Sequence, residues 1–241
     1  MATGMARSSR PPRLKFGVGK APPRDAAALS SDLFAQERRL VAIDPGAMLL
    51  QGFAAAEAQT LLDGIAAVEA EAPFRHMETP GGWSMSVAMT NCGPFGWTTS
   101  RRGYRYAEYD PQSGAPWPPM PDVFTDVARS AAAAAGFSDF QPDACLVNRY
   151  GAGARLSLHQ DRDEVDLAAP IVSLSLGLPG VFLWNGSTRA GRARRIRLCH
   201  GDAVVWGGPS RLAFHGIDRL SPGHHPATGS VRYNLTFRKA R

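Results

Sequence analysis

Three residues of the 241-residue chain have types and spacing suited to holding a metal ion. His159-Gln160-Asp161 places an imidazole and a carboxylate at positions i and i+2, which an extended segment directs to one face. A third ligand has to arrive from elsewhere, and His215 can supply it. Two imidazoles and one carboxylate on one side of an octahedron are the facial triad of non-haem Fe(II) oxygenases, which leaves positions open for a cosubstrate and O2. No thiolate belongs to the set, which argues against a structural zinc. The competing reading is a surface His–Asp pair and an unrelated core histidine. His76, His200, His224 and His225 show no comparable spacing and read as structural.

The last β-rich segment bears on this choice. In Arg232-Tyr233-Asn234-Leu235-Thr236-Phe237-Arg238 the period of two puts Arg232, Asn234, Thr236 and Arg238 on one face and the apolar residues on the other. Alone it reads as a half-solvated strand. Beside an iron triad, two arginines suit a dicarboxylate, because guanidinium pairs bidentately with carboxylate. At about 3.3 Å per residue their Cα atoms stand about 20 Å apart, so both serve one small acid only if their side chains lean inward. Asn148 and Tyr150 share a face of another segment and could hydrogen-bond the same ligand; a buried Tyr with a satisfied hydroxyl is the alternative.

The elements that must carry these residues are legible in outline. Residues 55–70 and 121–135 repeat apolar side chains at helical spacing, the second opening with Pro121 and stopping before Gly136. From residue 143 onward, short β-rich segments follow one another, separated by Gly, Pro, Asp and Asn, which predicts a sandwich or barrel. The expected architecture is an N-terminal α/β portion packed on a C-terminal β core. No run of about 18 apolar residues exists, so no membrane-spanning helix is expected, and the N-terminus lacks an apolar signal core. Cys92, Cys145 and Cys199 show no metal-type spacing and read as reduced thiols of a cytosolic protein. The net charge is +6. Six of the 27 basic groups and one of the 21 acids lie in residues 1–28, so the rest of the chain is nearly balanced. That Pro-, Gly- and Ser-rich stretch is expected to be a disordered basic tail, either touching nucleic acid or without a role. Its prolines make a mitochondrial presequence a poorer reading.

Long motifs carry a family resemblance: TPGG (79–82), MSVAMTNCG (85–93), GWTT (96–99), FQPDACLVNRY (140–150), LSLHQD (156–161), PIVSLSLGLP (170–179), HGDAVVWGG (200–208) and RYNLTFR (232–238). Over roughly residues 45–240 the sequence resembles the AlkB oxidative dealkylases. The resemblance implies an α+β, mainly β fold. Its core is a double-stranded β-helix (jelly-roll, cupin-like), with N-terminal helices and a nucleotide-recognition lid. Residues 29–241 would form one domain, with the lid near 73–115 and the β-helix near 140–241.

The resemblance further implies that His159, Asp161 and His215 bind Fe(II). Asn148, Tyr150, Arg232, Asn234 and Arg238 would hold 2-oxoglutarate, with Arg149 and Thr236 of the same segments lining that pocket, and O2 as the other cosubstrate. No side chain is expected to act as a nucleophile. The implied substrate is nucleic acid, single-stranded or duplex DNA with RNA as a further candidate, alkylated on Watson–Crick nitrogens, chiefly 1-methyladenine and 3-methylcytosine, with formaldehyde, succinate and CO2 as products. Such bases are cationic and pair poorly, so they are easily extruded and favour an aromatic face and a carboxylate. Trp97 and His159 match the family's stacking pair, and Asp163 its carboxylate at the exocyclic amine. Tyr104, Arg105 and Tyr106 match its strand-contacting segment, with Thr79 a further candidate; Arg189 matches another substrate contact. Without the resemblance, Trp97 reads as a core or surface aromatic and Asp163 as a solvated loop acid. The sequence departs from the bacterial pattern at Trp83, where Tyr is usual, and in the arginine-rich stretch 189–197. The alternatives are the same chemistry on RNA or protein, or a non-catalytic nucleic-acid-binding module. The family implies a monomer, and no membrane partner is expected.

Overall fold

The computed structural model describes Met1 and residues 39–241; the expected tail over 1–28 lies outside the described residues. Among the described residues no helix is long and apolar enough to cross a membrane. The chain runs β1 (Arg39–Asp44), β2 (Ala47–Gln51), α1 (Ala58–Glu71), β3 (Arg75–Glu78), β4 (Ser84–Cys92), β5 (Gly96–Ser100), β6 (Gly103–Ala107) and α2 (Asp122–Ala134). It continues through β7 (Ala144–Tyr150), β8 (Leu156–His159), β9 (Ile171–Gly177), β10 (Gly180–Gly186), β11 (Arg194–Leu198), β12 (Ala203–Trp206), β13 (Phe214–Ile217) and β14 (Arg232–Arg238).

Eight strands form one antiparallel sheet in the order β1-β2-β12-β9-β14-β7-β4-β3, four form a second, β11-β10-β13-β8, and β5-β6 is a separate hairpin. Alternation of side chains divides the large sheet into two apolar layers. Val147, Val172, Leu174, Leu235 and Phe237 point to one face, where Leu61 and Ile65 of α1 and Phe124 and Val127 of α2 cover them. Leu146, Tyr150, Ile171, Val204 and Trp206 point to the other, against Phe182, Trp184 and Ile217 of the small sheet. The second space is the interior of the jelly roll.

The N-terminal strands are part of the large sheet rather than a portion apart. β2 pairs with β12, and β4 with β7. Helix α2 starts after Pro121 and ends before Gly136, which adopts φ 91°. Helix α1 begins at Ala58, later than its periodicity predicts. Tertiary hydrogen bonds hold the preceding turn: the Ala54 N–H donates to the Gly201 carbonyl at 2.9 Å and the Gly52 N–H to Asp202 at 2.8 Å.

One glycine positions the site. Gly216 lies between His215 and Ile217 on β13, and a Cβ there would stand 2.6 Å from the Leu156 carbonyl oxygen. Any larger residue would push β8 away. β8 can therefore close on β13 with His159 directly opposite His215.

Candidate active site

β8 and β13 deliver two histidines side by side, with ring centroids 4.4 Å apart. The turn leaving β8 brings Asp161 between them: its carboxylate oxygens lie 3.6 Å from His159 Nε2 and 3.9 Å from His215 Nε2. All three candidate ligand atoms fall within 4.8 Å of one another. His159 Nδ1 is 2.9 Å from the Ser157 carbonyl and His215 Nδ1 is 2.9 Å from the Ala213 carbonyl. A carbonyl can only accept, so each Nδ1 carries a proton, which leaves Nε2 as the ring nitrogen placed to ligate a metal at the shared centre. Burial, aided by the neighbouring His159, depresses the His215 pKa to about 4, so that ring is neutral and ready to ligate. Burial alone would raise the Asp161 carboxyl; Arg238, followed by the two imidazoles, reverses this and holds it well below the usual carboxylate range. The donor set and tautomers fit a divalent cation with open positions.

Behind the triad, the polar face of β14 is buried between the sheets rather than half-solvated. Arg238 donates from Nε and Nη2 to Asp161 Oδ2 at 3.0 and 2.8 Å. Asn234 donates to Ser173 Oγ (2.8 Å) and accepts from Asn148 (3.1 Å) and Thr236 (3.0 Å). At the far end Arg232, 0% exposed, packs with its guanidinium carbon 5.0 Å from the Tyr150 ring centroid and donates from Nη2 to Ser175 Oγ at 2.8 Å. Its Nε and Nη1 are buried and lack hydrogen-bond partners among the described residues. A buried guanidinium with two idle donors and no carboxylate costs stability. A ligand carboxylate would satisfy it. The Tyr150 phenol is pushed up to about 12 by burial, against the pull of Arg232, and stays a neutral donor.

A cavity of about 890 Å³ unites most of the expected residues. The triad, Asn148, Tyr150, Asn234, Thr236 and Arg238 line its depth, and Thr79, Trp83, Trp97, Tyr104, Asp163 and Arg189 line its mouth. Trp97 and Tyr104 stack with centroids 5.5 Å apart, and the Trp97 indole N–H donates to Asp163 Oδ2 at 2.9 Å. Trp83 is 77% exposed at the rim.

Two expectations need correction. Arg149 does not line the ligand pocket: alternation on β7 sends Asn148 and Tyr150 inward and Arg149 to the helix side, where it pairs with Glu69 at 2.7 Å and covers the Phe74 ring. Tyr106 is not a surface contact for a strand. It is 7% exposed, and its hydroxyl donates to Glu164 Oε1 at 2.6 Å. Arg105 is exposed on the other face of its strand, outside the cavity lining.

The sequence reading missed Ser173, Ser175, Glu164 and Arg211. The serines alternate with Leu174 and Leu176 on β9, a period-two signal that could have placed them opposite the β14 polar face. Glu164 sits in the charged run Arg162-Asp163-Glu164 and looks solvated in sequence; nothing local reveals that Arg211, distant in the chain, buries it.

Two imidazoles and one carboxylate grouped inside a jelly roll, with a buried cation waiting for an acid, are the architecture of a non-haem Fe(II) oxygenase that takes an acidic cosubstrate. The comparisons agree. The model of the 2OG-Fe(II) oxygenase superfamily matches residues 46–238. The alpha-ketoglutarate-dependent dioxygenase AlkB of Salmonella typhimurium is 59% identical over 210 residues, covering 87% of this chain and 97% of that protein. The tRNA demethylase abh1 of Schizosaccharomyces pombe is 34% identical over 61% of this chain and 44% of its own length. The structure of OsALKBH1 superposes with a TM-score of 0.73 at 30% identity, covering 83% of this chain and all of that one. This chain belongs to the AlkB family of alpha-ketoglutarate-dependent dioxygenases. It uses Fe(II), 2-oxoglutarate and O2.

Proposed function

We propose that this chain is an oxidative demethylase that repairs nucleic-acid bases methylated on Watson–Crick nitrogens, 1-methyladenine and 3-methylcytosine in single-stranded or duplex DNA, with RNA a second substrate. The observation that carries the reading is one cavity that holds the His159–Asp161–His215 triad at its floor and the stacked Trp97–Tyr104 pair with Asp163 at its mouth. A cationic base stacks on an aromatic face and is held by a carboxylate, the two features that the mouth provides. Names such as tRNA demethylase among the relatives support nucleic acid as the substrate class.

When bound, iron with 2-oxoglutarate and O2 supplies the oxidising power that hydroxylates the N-methyl carbon, whose loss as formaldehyde restores the base while succinate and CO2 form. His159 and His215 would hold the iron through Nε2, with their Nδ1 hydrogen bonds fixing both rings. Asp161 would be the third ligand, kept ionised and aimed by Arg238. Arg232 would take one carboxylate of 2-oxoglutarate at the closed end, with Tyr150 and Asn148 beside it, and Asn234 and Thr236 would line the path between the arginines. Trp206 and Phe182, packed around His215, exclude water from that side. Arg189 at the rim suits a phosphate. We further propose one catalytic domain over residues 29–241 with a lid over 73–115, acting as a monomer in the cytoplasm.

Purified protein supplied with Fe(II), ascorbate and 2-oxoglutarate should release formaldehyde from a 3-methylcytosine oligonucleotide; its absence would refute the reading. Parallel assays on methylated DNA and RNA rank the substrates.

A further inference from the structure

The β5–β6 hairpin is tied to the metal-ligand loop at two adjacent points. Trp97 and Tyr106 stand directly opposite one another in the hairpin register, so their side chains leave from the same face. Trp97 binds Asp163 and Tyr106 binds Glu164, two and three residues after the ligand Asp161. The two links differ in character. The Trp97–Asp163 bond lies at the open mouth, between groups suited to hold the base. The Tyr106–Glu164 bond is buried, with Tyr106 7% and Glu164 6% exposed.

Glu164 in turn engages both arginines that hold Asp161. Its Oε2 accepts from Arg211 Nη2 at 3.0 Å, and Arg211 Nη1 donates to the Asp161 carbonyl oxygen at 2.7 Å. Its Oε1 lies 3.4 Å from Arg238 Nε, which also binds the Asp161 carboxylate. One buried carboxylate thus joins the aromatic hairpin to the side chain and the backbone of a metal ligand. A phenol burying its hydroxyl against a charged group makes a strong, directional bond. A phenylalanine would fill the same space for packing alone.

We propose that Tyr106 is a positioning residue: through Glu164 it fixes where the Trp97–Tyr104 slot stands relative to the metal ligands, so that a bound base presents its N-methyl carbon to the metal at one distance. This deepens the demethylase reading and rests on it. Tyr106 touches neither substrate nor metal; it acts through Glu164.

The experiment compares wild type, Tyr106→Phe and Glu164→Gln as full chains. Glu164→Gln retains an oxygen that can accept from the phenol but loses the charge facing Arg211. The first readout is formaldehyde formed per succinate on a 3-methylcytosine oligonucleotide, because succinate forms at every cosubstrate turnover and formaldehyde only when the methyl group is well placed. The second uses metal-free protein: the affinity for that oligonucleotide over its unmethylated twin, by fluorescence anisotropy. Thermal unfolding accompanies both. In Tyr106→Phe the formaldehyde-to-succinate ratio should fall about tenfold and the preference for the methylated strand by about tenfold. Glu164→Gln should lose ratio and preference in the same direction, because the link runs through that carboxylate, and it should unfold at a lower temperature. A further variant, Val127→Ala in the helix-side core, serves as the stability control: it should unfold at a lower temperature yet keep both readouts within about twofold of wild type. Wild-type ratio and preference in Tyr106→Phe would overturn the proposal. So would losses in Val127→Ala equal to those in Tyr106→Phe, since the effect would then follow stability rather than the phenol. If wild type released no formaldehyde, the demethylase reading would fail, and the metal-free preference would still decide whether Tyr106 sets the slot.

Discussion

The two ends of the active-site cavity are built on opposite principles. The deep end is carried by central strands, β7, β9 and β14, whose polar face is buried: Asn234, Ser173, Thr236 and Arg238 pair with one another or with Asp161, Asn148 donates to Asn234, and Asn148 Oδ1 and two Arg232 donors are left without partners among the described residues. The mouth is carried by the β5–β6 hairpin and by loops, with Tyr104, Asp163 and Arg189 exposed. The deep end must hold one small acid and one metal in a single geometry, which a sheet does well because its neighbours over-determine each side chain. The mouth must admit a flexible polymer and a flipped base, which a hairpin does at less cost in strain. Glu164 lies at the seam, bonded to both.

Substitutions should divide along this seam. The largest loss is expected for His215→Ala, which removes a ligand that no neighbour replaces. Formaldehyde release should fall by more than about a hundredfold, beyond what loss of an outer-shell partner costs, and bound iron measured by elemental analysis should fall with it. A fully active variant would undo the metal assignment.

Arg232→Met tests the deep end with opposite signs. It should raise the KM for 2-oxoglutarate by about a hundredfold, because a bidentate carboxylate partner is lost. Yet the ligand-free variant should unfold no lower than wild type, since it removes a buried cation with two unpartnered donors. Calorimetry with 2-oxoglutarate and thermal scans without it measure the two halves. Clear destabilisation of the ligand-free variant would mean that Arg232 serves the fold more than the cosubstrate.

The metal-free deep end should also be acid-sensitive. The folded pKa of His215 is depressed to about 4, against about 6.5 when unfolded. Between those values the unfolded chain binds a proton that the folded chain does not. Stability is therefore full above about pH 6.5 and falls by about 3 kcal/mol as the pH drops toward 4. Denaturant titrations from pH 7 to 4.5 would show the slope, and a flat profile would exclude a neutral, buried His215.

At the mouth the effects should be smaller and confined to nucleic acid. Trp97→Ala should weaken binding of a 3-methylcytosine oligonucleotide by about tenfold, the scale of one stacked base, and leave the affinity for 2-oxoglutarate unchanged. Smallest of all, Arg189→Ala should weaken methylated and unmethylated strands alike by about threefold and reduce the salt dependence of binding by about one ion. A selective loss on the methylated strand would move Arg189 from phosphate to base.

How much of this was legible in the sequence depended on the range of the interactions. The polar and apolar faces of β14 followed from alternation in RYNLTFR, and α2 from Pro121 and Gly136, because both signals are local. Alternation on β7 turns Arg149 away from Asn148 and Tyr150, whereas its place in the NRY motif points it to the ligand; in the structure it pairs with Glu69. Tyr106 failed for another reason. A tyrosine in a polar hairpin gives no sign of burial until Glu164 and Arg211 arrive from other parts of the chain.

By itself, then, the sequence determined the residue types, their alternation on each strand and the motifs that mark the iron and 2-oxoglutarate chemistry, because these depend on covalent order and a backbone period of two. Only the tertiary structure decided which ends of β14 meet which partner. It left Arg232 buried with idle donors beside Tyr150 and placed Arg238 against Asp161. It also turned Glu164 from an apparent loop acid into the join between hairpin and metal site. The physical reason is that burial and charge pairing are set by strand order and by loops far apart in the chain, which no local pattern encodes.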